Sequence, residues 1–165
     1  MNNVIANFDL AIACQADDSD IATADLGGAV DKVSVSRGIH LTDGDGSGQC
    51  DVFYHDVLPV TTADEVDFHG VVLKDAFGVG IAITKLKALY IKNLTGGVLT
   101  IGAATNPMEL FGTPATDTEE IPDDGEYYRS WPGDGLTLGA ATGEIEFVHA
   151  VGGAQNVEII AVGVR

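Results

Sequence analysis

Closely spaced turn signals are the feature of this sequence that most restricts its fold. Glycine, proline and aspartate groups recur from residue 96 onward and leave only short segments between them. These groups are Gly96-Gly97, Asn106-Pro107, Thr113-Pro114, Asp123-Asp124-Gly125, Pro132-Gly133-Asp134-Gly135 and Gly152-Gly153. Segments of about four to eight residues between turns are too short for helices and are typical of the strands of a sandwich or barrel.

A period of two in the side chains indicates strands between these turns. Ile145, Phe147 and His149 alternate with Glu144 and Glu146, which places the acids on the solvent face of a half-buried strand. No stretch shows the apolar period of about 3.6 residues that marks a long amphipathic helix. We therefore predict an all-β fold, an antiparallel β-sandwich.

Two further predictions concern strand pairing. Residues 157–164 are almost continuously apolar, so this last strand should lie in the middle of a sheet with both faces covered. Leu99 and Ile101 closely follow the turn at 96–97, which predicts a hairpin with the strand at 90–92.

The chain is large enough for one self-standing domain. It has 165 residues, of which 45% are hydrophobic, so a core can form without a metal or a disulfide. Cys14 and Cys50 form no CxxC motif and are expected to be free thiols. Residues 15–25 are rich in Asp, Ser, Thr and Ala and can bury little surface by themselves. We predict an extended N-terminal arm over residues 1–30 and a β-sandwich domain over residues 31–165.

The charge balance excludes two classes of partner. With 25 acidic and 8 basic residues the net charge is −17 at pH 7, which repels nucleic-acid phosphates and acidic membrane surfaces. The N-terminus lacks the basic and apolar regions of a signal peptide, and no apolar run is long enough to span a bilayer. We expect neither a nucleic-acid nor a membrane partner, and synthesis in the cytoplasm without export.

The lysines are concentrated where the acids are absent. Residues 76–105 contain no acid and three lysines, Lys85, Lys87 and Lys92. Such a band is either a docking face for an acidic partner or a central strand pair sheltered from solvent, and we favour the sheltered pair.

The loop at residues 43–51 copies the first half of a calcium-binding loop. Asp43, Asp45, Ser47 and Asp51 supply oxygen atoms at the spacing of an EF-hand, with Gly48 where a turn is needed. The twelfth position is Tyr54 instead of the bidentate Glu that an EF-hand requires. The alternative is a glycine-rich turn whose polar side chains bond their own backbone.

Catalytic motifs are missing from the sequence. No serine has a GxSxG setting, and the histidines lack a third metal ligand at recognisable spacing. We predict no enzymatic activity and no cofactor. The aromatic segment of Tyr127, Tyr128, Arg129 and Trp131 is either a strand with one aromatic residue in the core or an interface, because these residue types dominate interaction hot spots.

Three segments carry a resemblance to a known group of proteins. They are Tyr54-His55-Asp56, Asp75-Ala76-Phe77-Gly78 and Leu86-Lys87-Ala88-Leu89-Tyr90-Ile91-Lys92-Asn93, followed by the strand at 157–160. Together they resemble small structural proteins of tailed bacteriophages, from Val33 to the end of the chain. The resemblance implies a compact β-sandwich, often a jelly roll, with a structural role in the virion.

The role that the resemblance favours is a capsid decoration or cement protein on the outer surface of the head. Its partners would be the major capsid protein and copies of itself, as a homotrimer at three-fold positions. We expect the contacts to come from three groups of residues: Phe8, Leu10 and Ile12; Lys85, Lys87 and Lys92; and Tyr127, Tyr128, Arg129 and Trp131. The alternatives are a phage tail, baseplate or fibre component, and a carbohydrate- or calcium-dependent adhesion module.

Removal of the predicted arm tests its role in assembly. Deleting residues 1–25 should weaken oligomer formation while the sandwich stays folded, because the arm would contact a neighbouring subunit instead of its own core. Light scattering after size exclusion measures the first effect, and circular dichroism measures the second. A truncated protein that assembles as the full chain does would contradict this prediction.

Overall fold

A computed structural model describes residues 5–17, 30–74, 78–111 and 117–165 of the chain. Its regular structure within these ranges consists of strands alone, as the sequence predicted. The strands are β1 (Ala6–Asp17), β2 (Val30–Asp43), β3 (Gln49–Cys50), β4 (Val52–Val60), β5 (Ala63–Asp67), β6 (Lys85–Leu94), β7 (Leu99–Gly102), β8 (Thr118–Ile121), β9 (Glu126–Ser130), β10 (Leu136–Thr137), β11 (Glu144–His149) and β12 (Gln155–Val164).

The chain divides into two compact units. The smaller unit is Ala6–His40, in which β1 pairs with β2, and the larger contains Leu41–Arg165. Most of the predicted arm over residues 1–30 lies outside the described residues, so its extended form and its role remain predictions.

Two antiparallel sheets make up the larger unit. One has the order β10-β6-β12-β4, and β9 pairs with β6 on the same side as β10. The other has the order β5-β11-β7-β8. The side chains of both sheets meet in one apolar core, which includes Tyr54, Leu89 and Ile159 from the first sheet and Ile101 and Phe147 from the second. This is the all-β, antiparallel architecture expected of a β-sandwich.

The strand pairing follows one simple rule. When β9 and β10 are counted as a single interrupted strand, eight strands run from β4 to β12. The first of them pairs with the last, the second with the seventh, the third with the sixth and the fourth with the fifth. Consecutive strands therefore alternate between the two sheets over most of this unit.

The alternation predicted for β11 is confirmed. Ile145, Phe147 and His149 are buried, whereas Glu144 and Glu146 lie at the surface of the same strand and are half-buried. The central position predicted for the last strand is also confirmed, since β12 lies between β4 and β6. Its second face is fully covered only from residue 161 onward.

The predicted hairpin between residues 90–92 and 99–101 is wrong, because β6 and β7 lie in different sheets. Asn93 explains the departure. Its buried side-chain amide donates hydrogen bonds to the carbonyl oxygens of Gly97 (2.7 Å), Ile121 (2.9 Å) and Pro122 (2.9 Å). Its Oδ1 accepts from the backbone N–H and the hydroxyl of Thr95. The turn is thereby bonded to Asn93 and to the end of β8, and the chain enters the second sheet.

Asn93→Ala should destabilise the fold by about 2–4 kcal/mol, because it leaves several buried polar groups without partners. Asn156→Ala is the matched control, since this exposed asparagine on β12 should change stability by no more than about 0.5 kcal/mol. Urea unfolding followed by circular dichroism measures both variants. Equal stability of the two variants would contradict the role assigned to Asn93.

Candidate interaction surface

The most distinctive surface of the larger unit is the outer face of the five-stranded sheet, defined as its side chains that point away from the shared core. Cross-strand partners place their side chains on the same side of a sheet, so the register gives the composition of this face. Three rows result: Pro59, Asn156 and Leu94; Val57, Glu158, Lys92 and Glu126; and His55, Ile160, Tyr90 and Tyr128. A fourth row begins with Phe53 and continues into the buried Val162 and Ala88.

Large apolar groups are exposed on this outer face. Phe53 and Val57 on β4 are each 44% exposed, Tyr128 on β9 is 40% exposed and Leu94 on β6 is 37% exposed. Single exposed apolar residues are common on proteins, but a group of them on one face marks a site of interaction.

The charges on the outer face are paired within the chain. His55 Nε2 lies 3.0 Å from Glu158 Oε1, and Lys92 Nζ lies 3.8 Å from Glu126 Oε1. Both acids of the face therefore have a basic neighbour, in a chain where acids outnumber bases by about three to one. Paired charges are less costly to remove from water than isolated carboxylates.

Tyr90 adds a further bond to this charge array. Burial raises its pKa from 10.0 to about 12, assisted by a hydrogen bond to Glu126 and by the negative charges of Glu126 and Glu158. The Tyr90 hydroxyl therefore keeps its proton throughout the physiological range. It donates a hydrogen bond to the carboxylate of Glu126 on the neighbouring strand β9.

The edge of β4 limits how a partner can approach. β4 is the last strand of its sheet, and the Val57 N–H donates to the Asp56 Oδ1 at 2.8 Å instead of remaining open. Pro59, two residues later, has no N–H to offer. Both devices block the addition of another strand, so a partner is expected on the face of the sheet and not at this edge.

The three predicted lysines of β6 have different environments. Lys92 belongs to the outer face, Lys85 is exposed at the start of the strand, and Lys87 is fully buried. The sheltered-strand interpretation holds for Lys87, while Lys92 is available for contact.

Lys87 is buried at the point where the strand pairing changes register. Val162 pairs with Ala88 and Gly163 pairs with Leu86, so Lys87 is the extra residue of a β-bulge. A side chain at Gly163 would collide with Ile83 and with the Lys85 carbonyl at 2.5 and 2.6 Å, which explains the glycine opposite the bulge.

The ammonium of Lys87 joins two loops. It donates to the carbonyl oxygen of Gly46, at 3.2 Å, and to that of Gly133, and the Lys87 carbonyl accepts from the Trp131 N–H at 2.7 Å. Burial, followed by repulsion from Lys85, lowers the pKa of Lys87. This lysine has a structural position and is not available as part of a contact surface.

The loop at 43–51 is organised by Gln49 and by neighbouring cations. Gln49 Oε1 accepts from the Gly46 N–H at 2.9 Å, and its Nε2 donates to the Asp43 carbonyl at 3.1 Å. Asp51 Oδ1 accepts from the backbone N–H of Arg165 at 2.9 Å. Within the described ranges no three His, Cys, Asp or Glu side chains are grouped so as to hold a metal. The bonds of Gln49 fit the turn interpretation of this loop, and calcium binding by Asp43, Asp45, Ser47 and Asp51 stays a prediction.

The predicted aromatic segment is divided between two sides of its sheet. Tyr128 belongs to the outer face, whereas Tyr127 and Trp131 pack partly against the core. The rings of Tyr127 and Phe111 meet edge to face, with centroids 5.8 Å apart. The Arg129 guanidinium lies 5.5 Å from the centre of the Trp131 ring and also donates to the Leu110 carbonyl. Side chains alternate between the two sides of a strand, so these neighbouring residues of the sequence do not form one cluster in the structure.

The remaining predicted contact residues are on β1, and two residues of the outer face were not predicted. Phe8, Leu10 and Ile12 are on β1, but their side chains lie outside the described part of the structure. Sequence reasoning missed Phe53 and Val57 of the outer face. Their alternation with the buried Val52 and Tyr54 was a usable signal, because apolar residues on both sides of an alternating strand indicate two covered faces.

Comparison with protein-family models, with curated proteins and with solved structures gave no match. The described ranges contain no apolar helix of a length that would cross a bilayer. The contacts and charges of the outer face are therefore the main guide to function.

The raised pKa of Tyr90 predicts how stability changes at alkaline pH. The folded chain holds this proton up to about pH 12, whereas the unfolded chain releases it near pH 10, so stability falls between these values. Tyr90→Phe should make this fall in stability with pH shallower. Part of the fall should remain in the variant, because burial also raises the pKa of Tyr54 to about 12. Urea unfolding at several pH values measures the slope. An identical slope for the wild type and Tyr90→Phe would contradict the prediction.

Proposed function

We propose that this chain is a non-enzymatic structural protein of a tailed-phage virion, a capsid decoration or cement protein that attaches through its outer face. The observation that carries the proposal is the aromatic and apolar outer face, on which each acid lies beside a basic side chain, in a chain of net charge −17. The resemblance of three of its segments to phage structural proteins supplies the virion context.

The physical argument concerns the cost of removing charges from water. An acidic surface can join a partner only if its carboxylates are paired or lie outside the contact. On the outer face Glu158 is paired with His55 and Glu126 with Lys92, while Phe53, Val57 and Tyr128 supply apolar area. Adhesion by such a surface requires buried aromatic and apolar groups and no chemical reaction.

We assign the jelly-roll form of the sandwich to the larger unit. The nested pairing of first strand with last, second with seventh, third with sixth and fourth with fifth supports it, because one long antiparallel hairpin rolled over itself gives this order. We further assign the chain to the capsid surface as a homotrimer bound to the major capsid protein, with residues 1–30 as an arm. The resemblance supports these two assignments.

A binding assay with phage heads tests the proposal. Heads that lack the protein should bind the added wild-type chain and should then withstand a higher temperature before releasing DNA. Tyr128→Asp should abolish binding, because it places an unpaired charge in the outer face. Val98→Asp is the matched control, since Val98 is 51% exposed in the turn between β6 and β7, away from this face.

Co-sedimentation measures binding, and dye release on heating measures the stability of the heads. Gold labelling of whole virions would place the protein on the head or on the tail. Binding to heads by both variants would overturn the assignment of the outer face. Label on the tail alone would replace decoration by the tail, baseplate or fibre role.

A further inference from the structure

We infer that in the free protein the outer face binds a second copy of this chain, face to face about a two-fold axis parallel to the strands, and that this copy leaves when the face attaches to a head. The inference rests on the proposed function, since it names a partner for the same surface. What points to a second copy is the order of residues across the sheet.

The two central residues of the charged row, Glu158 and Lys92, are complementary to their own reverse, whereas Glu126 falls opposite Val57 of the partner subunit at the rim. The row reads Val57, Glu158, Lys92 and Glu126 from β4 through β12 and β6 to β9. A two-fold axis between β12 and β6 reverses the order of strands and keeps the position along them. Lys92 then lies over Glu158 of the partner subunit, and Glu158 lies over Lys92 of the partner subunit.

The neighbouring row is complementary in the same way. It reads His55, Ile160, Tyr90 and Tyr128 across the same strands. The two-fold axis places Tyr90 over Ile160 of the partner subunit and Tyr128 over His55 of the partner subunit. Tyr90 thus packs on Ile160 of the partner subunit beside the two charge pairs, and the two-fold symmetry repeats each contact once.

The charges on the rest of the surface make the outer face the best place for contact between two copies. Most of the surface of a chain with net charge −17 repels its own copies, whereas the outer face presents one lysine and one histidine next to its two acids. Face-to-face sheets keep their strand directions within about 30° and each sheet is twisted, so contact is closest near the axis, where Lys92, Glu158, Tyr90 and Ile160 lie.

The size of the face predicts a weak dimer. Four strands about 4.8 Å apart, with three rows of side chains about 6.6 Å apart, give a patch of roughly 400 Å² on each copy. A total of about 800 Å² is less than the roughly 1,200 Å² at which stable specific interfaces begin, so the dimer should be transient and should form and dissociate with protein concentration.

Charge reversal in separate copies tests the inference. In Lys92→Glu two glutamates meet at each pair, and in Glu158→Lys two lysines meet, so each variant alone should dimerise at least about tenfold more weakly. When the two variants are mixed, both glutamates of the first variant face lysines of the second, and a heterodimer should form with near wild-type affinity. Mixing cannot relieve repulsion within one chain, so the rescue reports contact between chains.

Sedimentation equilibrium of the full chain, alone and with one variant fluorescently labelled, measures these constants. Lys74→Glu is the control, because Lys74 is exposed and lies outside the sheet, and it should dimerise as the wild type does. A monomeric wild type at every concentration, or a mixture that does not associate, would overturn the two-fold contact. A wild-type association constant that Lys92→Glu leaves unchanged would also overturn it, whatever the number of copies in the assembly. Head binding in the assay above tests the proposed function separately.

Discussion

The pairing of β12 with both β4 and β6 is the interaction on which the rest of the larger unit depends. β12 is hydrogen-bonded along nearly its whole length to a strand on each side, and these ladders join residues about 60 to 110 positions apart in the chain. Such distant pairing costs more loop entropy than a local hairpin, and the apolar residues of β12 offset that cost by entering the core. The nested order of the remaining strands follows once the first strand is held next to the last.

Much of the fold could be predicted from the sequence, but the sheet partners could not. The alternation of side chains predicted which residues of β11 are buried. The apolar run at 157–164 predicted that the last strand lies in the middle of its sheet. A period of two states which side of a sheet a residue occupies and says nothing about which strand lies beside it. The hairpin predicted for β6 and β7 failed because the buried amide of Asn93 bonds the turn to the end of β8, which no local pattern near residue 93 records.

The candidate surface was predictable only in part, for a related reason. Lys87 and Lys92 are five residues apart on β6, so a period of two places them on opposite sides of the strand, but only the pairing of the strands shows that the side of Lys87 is the buried one. The outer face is a property of four strands read across the register, from His55 on β4 to Tyr128 on β9, and these residues are far apart in the sequence. Its paired charges therefore become visible only when the sheet is assembled.

The closed edge of β4 has a consequence for the kind of assembly that this protein can form. A strand whose N–H groups stay open can recruit the same strand of another molecule without limit, and the product is a fibre. Here the Asp56 carboxylate occupies the Val57 N–H and Pro59 offers none, while β8, at the edge of the other sheet, is only four residues long and carries two glutamates. Polymer growth by strand addition is therefore blocked at both places. Contact between copies through the outer face about a two-fold axis is closed, so it favours particles of fixed size over open-ended filaments.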